Sequence, residues 1–149
     1  MLQFDNGPVL AEDLLNLFRI TPTLEDVRLR TPNVVFTSEV LEELTVDHTS
    51  SSSKDVVLPR LRHLCMCVTV CQELTRMVQS RWNMGQSCRV ERLQTLKLYC
   101  LDKQSAEVLR SFVLEELEGC FREGLSFKIT YECASCNDLH EIEEMDLPL

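Results

Sequence analysis

Glycine is scarce in this 149-residue chain, and the four that occur, Gly7, Gly85, Gly119 and Gly124, never cluster. A phosphate-cradling loop needs closely spaced glycines so that backbone N–H groups can converge on an anion, so nucleotide use lacks its usual signature. Cations are also in deficit. The 15 Lys and Arg against 24 Asp and Glu leave a formal net charge of -9, which argues against nonspecific binding to nucleic acid or to an anionic membrane surface. The first residues, Met1-Leu2-Gln3-Phe4-Asp5-Asn6, lack the basic segment and apolar run of a signal peptide, and no apolar stretch is long enough to cross a bilayer. The expectation is a cytoplasmic or nuclear protein with neither membrane nor nucleic acid as partner. Histidine is sparse too: His48, His63 and His140 lie near no recognisable nucleophile motif, so no enzyme is expected.

Cysteine, by contrast, occurs eight times. Without a signal peptide the compartment is reducing and free thiols are the default, with Cys71 and Cys120 at helical positions beside apolar neighbours. Cys133-Ala134-Ser135-Cys136 followed by His140 could supply zinc ligands, but a structural site usually needs four and no second pair is suitably spaced. His63, Cys65 and Cys67 alternate along one strand, where small residues on a sheet are the more ordinary explanation than a soft-metal site. No cofactor is expected. A zinc or redox protein built on Cys133, Cys136 and His140 is the least favoured alternative.

What the chain has is a recurring apolar pattern. Leu24-Glu25-Asp26-Val27-Arg28-Leu29, Leu61-Arg62-His63-Leu64-Cys65-Met66 and Leu93-Gln94-Thr95-Leu96-Lys97-Leu98 all read L-x-x-(L/V)-x-(L/M), each followed by a helix-like stretch. A strand-plus-helix unit of this kind cannot bury its own apolar face and must stack. The pattern predicts an α/β leucine-rich-repeat solenoid, a parallel β-sheet lined by helices, with irregular repeats. Leu24 to Leu61 is 37 residues and Leu61 to Leu93 is 32, the excess arising from a serine-rich loop inserted at 48–55.

The spacing predicts a first helix with Leu10, Leu14, Leu17 and Phe18 on one face, ending before Thr21-Pro22, and a short helix over 38–44 with Thr37 as cap. Leu74, Met77, Val78 and Trp82 form the next helical face. A longer helix follows, capped by Asp102, lined by Val108, Leu109, Phe112, Leu117, Cys120 and Phe121, and closed by Gly124. Parallel strands are expected near 24–29, 61–66, 93–98 and 125–131, with Leu29, Leu64, Leu96, Leu98 and Phe127 buried. The repeat domain spans 1–131. An acidic tail at 132–149 remains, either frayed or folded as a short capping helix through Leu139, Ile142 and Met145.

Residues between the buried strand positions should face the concave side of the solenoid. These are Asp26, Arg28 and Arg30; His63, Cys65 and Cys67; Thr95, Lys97 and Tyr99; Ser126, Lys128 and Thr130. Arg28, Lys97 and Lys128 then fall in one row, with Arg30 and Tyr99 in the next. Such a row offers charge-assisted hydrogen bonds to an acidic or phosphorylated segment of a protein target, or else simply solubilises an exposed sheet face.

Several segments together resemble the repeat region of fungal F-box proteins of the basidiomycete group. They are Leu14-Leu15-Asn16-Leu17-Phe18-Arg19-Ile20-Thr21-Pro22-Thr23-Leu24-Glu25, Leu58-Pro59-Arg60-Leu61-Arg62-His63-Leu64, Val78-Gln79-Ser80-Arg81-Trp82 and Glu123-Gly124-Leu125-Ser126-Phe127-Lys128-Ile129. The resemblance implies a substrate receptor of SCF-type ubiquitin ligases, in which an F-box docks a Skp-type adaptor and the repeats select the target. This chain departs from that plan, because nothing before Leu24 resembles the Leu-Pro-x-Glu helical segment of an F-box. Leu2-Gln3-Phe4 reads instead as a strand end equivalent to Val27-Arg28-Leu29. The expectation is thus a recognition half that meets a Skp-type adaptor only if an F-box lies upstream, with a standalone repeat scaffold as the alternative.

Overall fold

The computed structural model describes residues 2–4, 9–29, 35–36, 38–47, 56–68, 71–83, 90–132 and 139–141. In chain order they form β1 (Leu2–Phe4), α1 (Ala11–Ile20), β2 (Asp26–Leu29), β3 (Val35–Phe36), α2 (Ser38–Leu44), β4 (His63–Val68), α3 (Cys71–Trp82), β5 (Thr95–Cys100), α4 (Lys103–Glu116), α5 (Glu118–Arg122), β6 (Ser126–Glu132) and β7 (Leu139–Glu141). The strands make one sheet in the order β1-β2-β4-β5-β6-β7, with β3 carrying on the ladder along β4 beyond β2. Every pairing is parallel except the last, β6 with β7. The protein is therefore α/β, built on a parallel sheet with intervening helices.

Two periodicities in the sequence produce this arrangement. Alternation along the strands sends Val27 and Leu29, Leu64 and Met66, Leu96 and Leu98, and Ile129 into the core. Helical spacing turns Leu14, Leu15 and Phe18 of α1, Val40, Leu41 and Leu44 of α2, Leu74, Met77, Val78 and Trp82 of α3, and Ala106, Leu109 and Val113 of α4 toward the same cluster. Consecutive helices pack side by side over that face of the sheet.

Register follows the repeated pattern. Leu2, Gln3 and Phe4 pair with Val27, Arg28 and Leu29, as the sequence suggested, and Val27 aligns with Leu64, Leu96 and Phe127 across successive strands. The first leucine of each unit sits just ahead of its strand, which is why β2, β4 and β5 start two residues later than predicted and β6 one residue later. Leu61 and Leu93 are fully buried there, while their neighbours extend the ladder through backbone bonds. Glu25 O accepts from Arg62 N and His63 N, both at 2.9 Å; Arg62 O accepts from Gln94 N and Thr95 N; Gln94 O accepts from Ser126 N.

Several expectations need correction. Leu10 is 69% exposed because it occupies the N-cap of α1, outside the buried stripe. Val108 is 66% exposed, since the inward stripe of α4 runs through Ala106, Leu109 and Val113. The long helix is two: it breaks at Leu117, and α5 carries Cys120 and Phe121 into the core. Phe127 is only partly buried, its ring tilted by 31° against that of Phe121 with centroids 5.4 Å apart. Residues 139–141 form an antiparallel strand on β6, not a helix, so the parallel sheet does not end the array. The Asp102 cap holds: its carboxylate accepts from Ser105 N at 2.8 Å. Gly124, at φ +110°, adopts the left-handed backbone expected after a helix end. Thr37, the 48–55 insert, Cys133 and Cys136 lie outside the described residues.

Arg81 was not expected inside. It has no solvent exposure, and its guanidinium donates to three backbone carbonyls, Leu44 O at 2.8 Å, Leu58 O at 3.0 Å and Val57 O at 2.6 Å. Burial pushes its pKa down to about 10, so it stays charged at neutral pH. The three carbonyls supply the partners that a buried cation requires. Leu58 has φ 50°, a left-handed conformation that costs a leucine energy, and Arg81 holds the turn that contains it.

Candidate partner-binding face

The sheet face turned away from the helices carries the residues between the core positions, arranged in rows by the register. Asp26, His63, Thr95 and Ser126 form the first row. Arg28, Cys65, Lys97 and Lys128 form the second, which is the basic row read from the sequence. Cys67, Tyr99, Thr130 and Glu141 form the third. Tyr99 thus lies one row beyond Lys97, while Arg30 falls outside the described residues, in the gap between β2 and β3.

The row is not a stripe of free cations. Arg28 is gripped by its own strand neighbour two residues back: Nε and Nη2 donate to the two carboxylate oxygens of Asp26 at 3.0 and 2.7 Å. This bidentate fork fixes the guanidinium plane, and Asp26 raises the Arg28 pKa further above its usual value. Lys128 reaches Glu141 on β7 at 2.5 Å. Lys97 is exposed, and among the described residues it has no ion-pair partner. The field of the row therefore comes chiefly from Lys97, with two neutralised cations beside it.

Cys65 and Cys67 sit on this open face yet are only 5% and 6% exposed. They belong to the central strand β4, where Cys65 stands between Arg28 on β2 and Lys97 on β5, and Cys67 between Val35 on β3 and Tyr99 on β5. Burial pushes the Cys67 thiol up, away from the reactive thiolate. Above Cys65 the short side chain leaves a depression of about 120 Å³, bounded by Asp26, Arg28, His63, Thr95 and Lys97. His63 Nδ1 lies 3.2 Å from Thr95 Oγ1 at its edge.

Cys65, Cys67 and Cys120 are free thiols, and no group of three or more His, Cys, Asp or Glu able to hold a metal occurs among the described residues. No helix among them is long and apolar enough to cross a membrane. Sequence reasoning missed the pairing of Arg28 with Asp26, although both were placed on one face at i and i+2. It also missed the depression, whose only signal was a small residue between two long ones in adjacent repeats.

Comparisons with protein-family models, curated proteins and solved structures give no match to this chain.

Proposed function

We propose that the chain is a leucine-rich-repeat solenoid that binds another protein through its open sheet face, as the target-recognition part of an F-box-like receptor, and that it performs no catalysis. Parallel sheets are usually covered on both faces and their strands read as continuous apolar runs; here β2 and β5 alternate, and Asp26, Arg28, Lys97 and Lys128 on the open face keep contact with water. A repeating strand and helix that leaves one face open suits a horseshoe array. The ligase connection rests on the resemblance of the quoted segments, and a Skp-type adaptor enters only through an F-box upstream.

The observation that carries the binding proposal is the register that sets Arg28, Cys65, Lys97 and Lys128 side by side on that face. A protein segment bearing carboxylates or phosphates can exchange its water for these donors, competing with Asp26 and Glu141 for the outer two. The occupant is an acidic or phosphorylated segment in the cytoplasm or nucleus. The test is an array of acidic and phosphorylated peptides probed with wild type and with Arg28, Lys97 and Lys128 all changed to Glu. Loss of the bound set in the variant supports the proposal, and an unchanged set overturns it.

A further inference from the structure

The two ends of the sheet are unlike. β1 pairs with β2 along one edge, and among the described residues no strand meets its other edge. An edge of this kind presents unpaired backbone N–H and C=O groups, whose natural complement is another strand. The helix at the same end adds an apolar flank. Arg19 marks the side of α1 that faces α2, because it reaches Glu43 there. Leu17 lies two residues back, about 200° round the helix, and so on the opposite side. Leu10 falls seven residues earlier, close to two full turns, and Ile20 one turn later, which places all three on one stripe. Leu10 and Ile20 are 69% and 76% exposed, and Leu17 is half-buried.

Beyond Ile20 the chain turns into β2, and Thr21, Thr23, Leu24 and Glu25 line a hollow of about 340 Å³. Arg62 and His63 hold the β4 side of that loop through Glu25 O, and neither borders the hollow. Asp13 is the one charge on the stripe. For a chain of net charge -9 this is a sparsely charged end. At the far end of the helical row, α4 exposes the ion pair of Lys103 and Glu107, and β7 brings Glu141. Apolar side chains from α1 would find charges there.

We propose that the β1–α1 end mates with the same end of a second copy of the chain, about a two-fold axis normal to the sheet. This does not depend on what the open sheet face binds. An axis in that direction runs the two β1 strands antiparallel, keeps both sets of helices on one side, and lays α1 antiparallel beside its counterpart. Leu10 of each copy then approaches Ile20 and the hollow of the other, while Leu17 lies near the axis. Edge meets edge, stripe meets stripe, and a protruding side chain meets a hollow. The self-complementary set closes at two copies, and burial of the stripe drives it. The two Asp13 carboxylates also draw near each other, a repulsion that salt screens.

Sedimentation velocity of the full chain over a wide concentration range, at low and high salt, reads the assembly. Leu10→Gln with Ile20→Gln removes two exposed apolar side chains without adding charge, and Leu101→Gln with Val108→Gln removes two equally exposed ones elsewhere. Circular dichroism confirms that each variant is folded. The expected result is a monomer–dimer equilibrium that tightens with salt, with a dissociation constant raised roughly tenfold or more in Leu10→Gln/Ile20→Gln and near wild type in Leu101→Gln/Val108→Gln. Hydrogen exchange of the β1 amides should slow as concentration rises. A wild-type monomer at every concentration overturns the proposal. So does a dimer that survives Leu10→Gln/Ile20→Gln unchanged, or one that weakens as salt rises. Assemblies that grow beyond two overturn the two-fold closure, and β1 amides that exchange alike in monomer and dimer overturn the pairing of strand edges.

Discussion

Arg81 Nε donates to the carbonyl of Leu44 over 2.8 Å, and through this bond a residue near the end of α3 closes the last turn of α2. The same guanidinium binds Val57 and Leu58, so it joins the two ends of the stretch that contains the serine-rich insert. The chain on either side of 48–55 is thereby tied to the core. Arg81→Met should leave three buried carbonyls short of partners and cost about 2–4 kcal/mol of stability. Arg81→Lys should recover only part of this, because one ammonium cannot reproduce the fork. Urea unfolding followed by far-UV circular dichroism measures both, and wild-type stability in Arg81→Met would show that the clamp is dispensable.

Arg81 was not placed inside from the sequence, although its spacing allowed it. It lies at helical spacing from Leu74, Met77 and Val78, on the stripe that also holds Trp82, so periodicity alone puts it inside. Charge argued the other way, and only the three carbonyls resolve the conflict. The strands and their register were readable because alternation and the leading leucine recur in every unit, down to the short match of Leu2, Gln3 and Phe4. The break at Leu117 and the exposure of Val108 were not, because an amphipathic pattern continues across a helix break when both pieces pack on one core. The basic row was readable, but its neutralisation was not. Asp26 is a strand neighbour whose side-chain reach shows only in three dimensions, and Glu141 comes from an antiparallel strand that the repeat pattern does not foresee.

The lone tryptophan of the chain, Trp82, reports on the contact between consecutive units. Its indole N–H donates to Glu123 at 2.9 Å, and Arg92 lies over the ring at 5.2 Å while also reaching Glu123. Glu123→Ala should change the native emission of Trp82 and lower stability by roughly 1 kcal/mol, the worth of one hydrogen bond to a charged group at a half-open site. Fluorescence during equilibrium unfolding reads both quantities. An unaltered native spectrum would mean the carboxylate does not hold the indole.

Acid should weaken the fold through two carboxylates. Asp102 is held below its usual value by the Ser105 backbone and hydroxyl donors, and Glu91 by its hydrogen bond to Arg62. Both folded values lie below the unfolded ones of 3.8 and 4.5, so their stabilisation is complete above those values and fades as pH falls through the folded ones. Asp102→Ala should lower stability at neutral pH, with the difference from wild type shrinking below pH 3.8. Paired urea titrations across that range decide it, and a constant difference would place the cap's contribution elsewhere.

Thiol chemistry should respect burial. Burial pushes both Cys67 and Cys120 up, so each should alkylate far more slowly in the native protein than in urea. Site-resolved mass spectrometry after a timed iodoacetamide pulse distinguishes them from exposed thiols. Rapid native labelling at Cys67 would mean that the central strand opens readily.

The open face as a charged docking surface is tested most directly by the affinity of one selected acidic peptide at low and high salt, for wild type, Lys97→Glu and Lys103→Glu. Lys97 is the side chain whose charge is not already neutralised within the described face, so its reversal should weaken binding roughly tenfold or more, and wild-type affinity should fall as salt rises. Lys103, on the outer helix α4, should tolerate the same change. Equal affinity for wild type and Lys97→Glu, with no dependence on salt, would contradict the account.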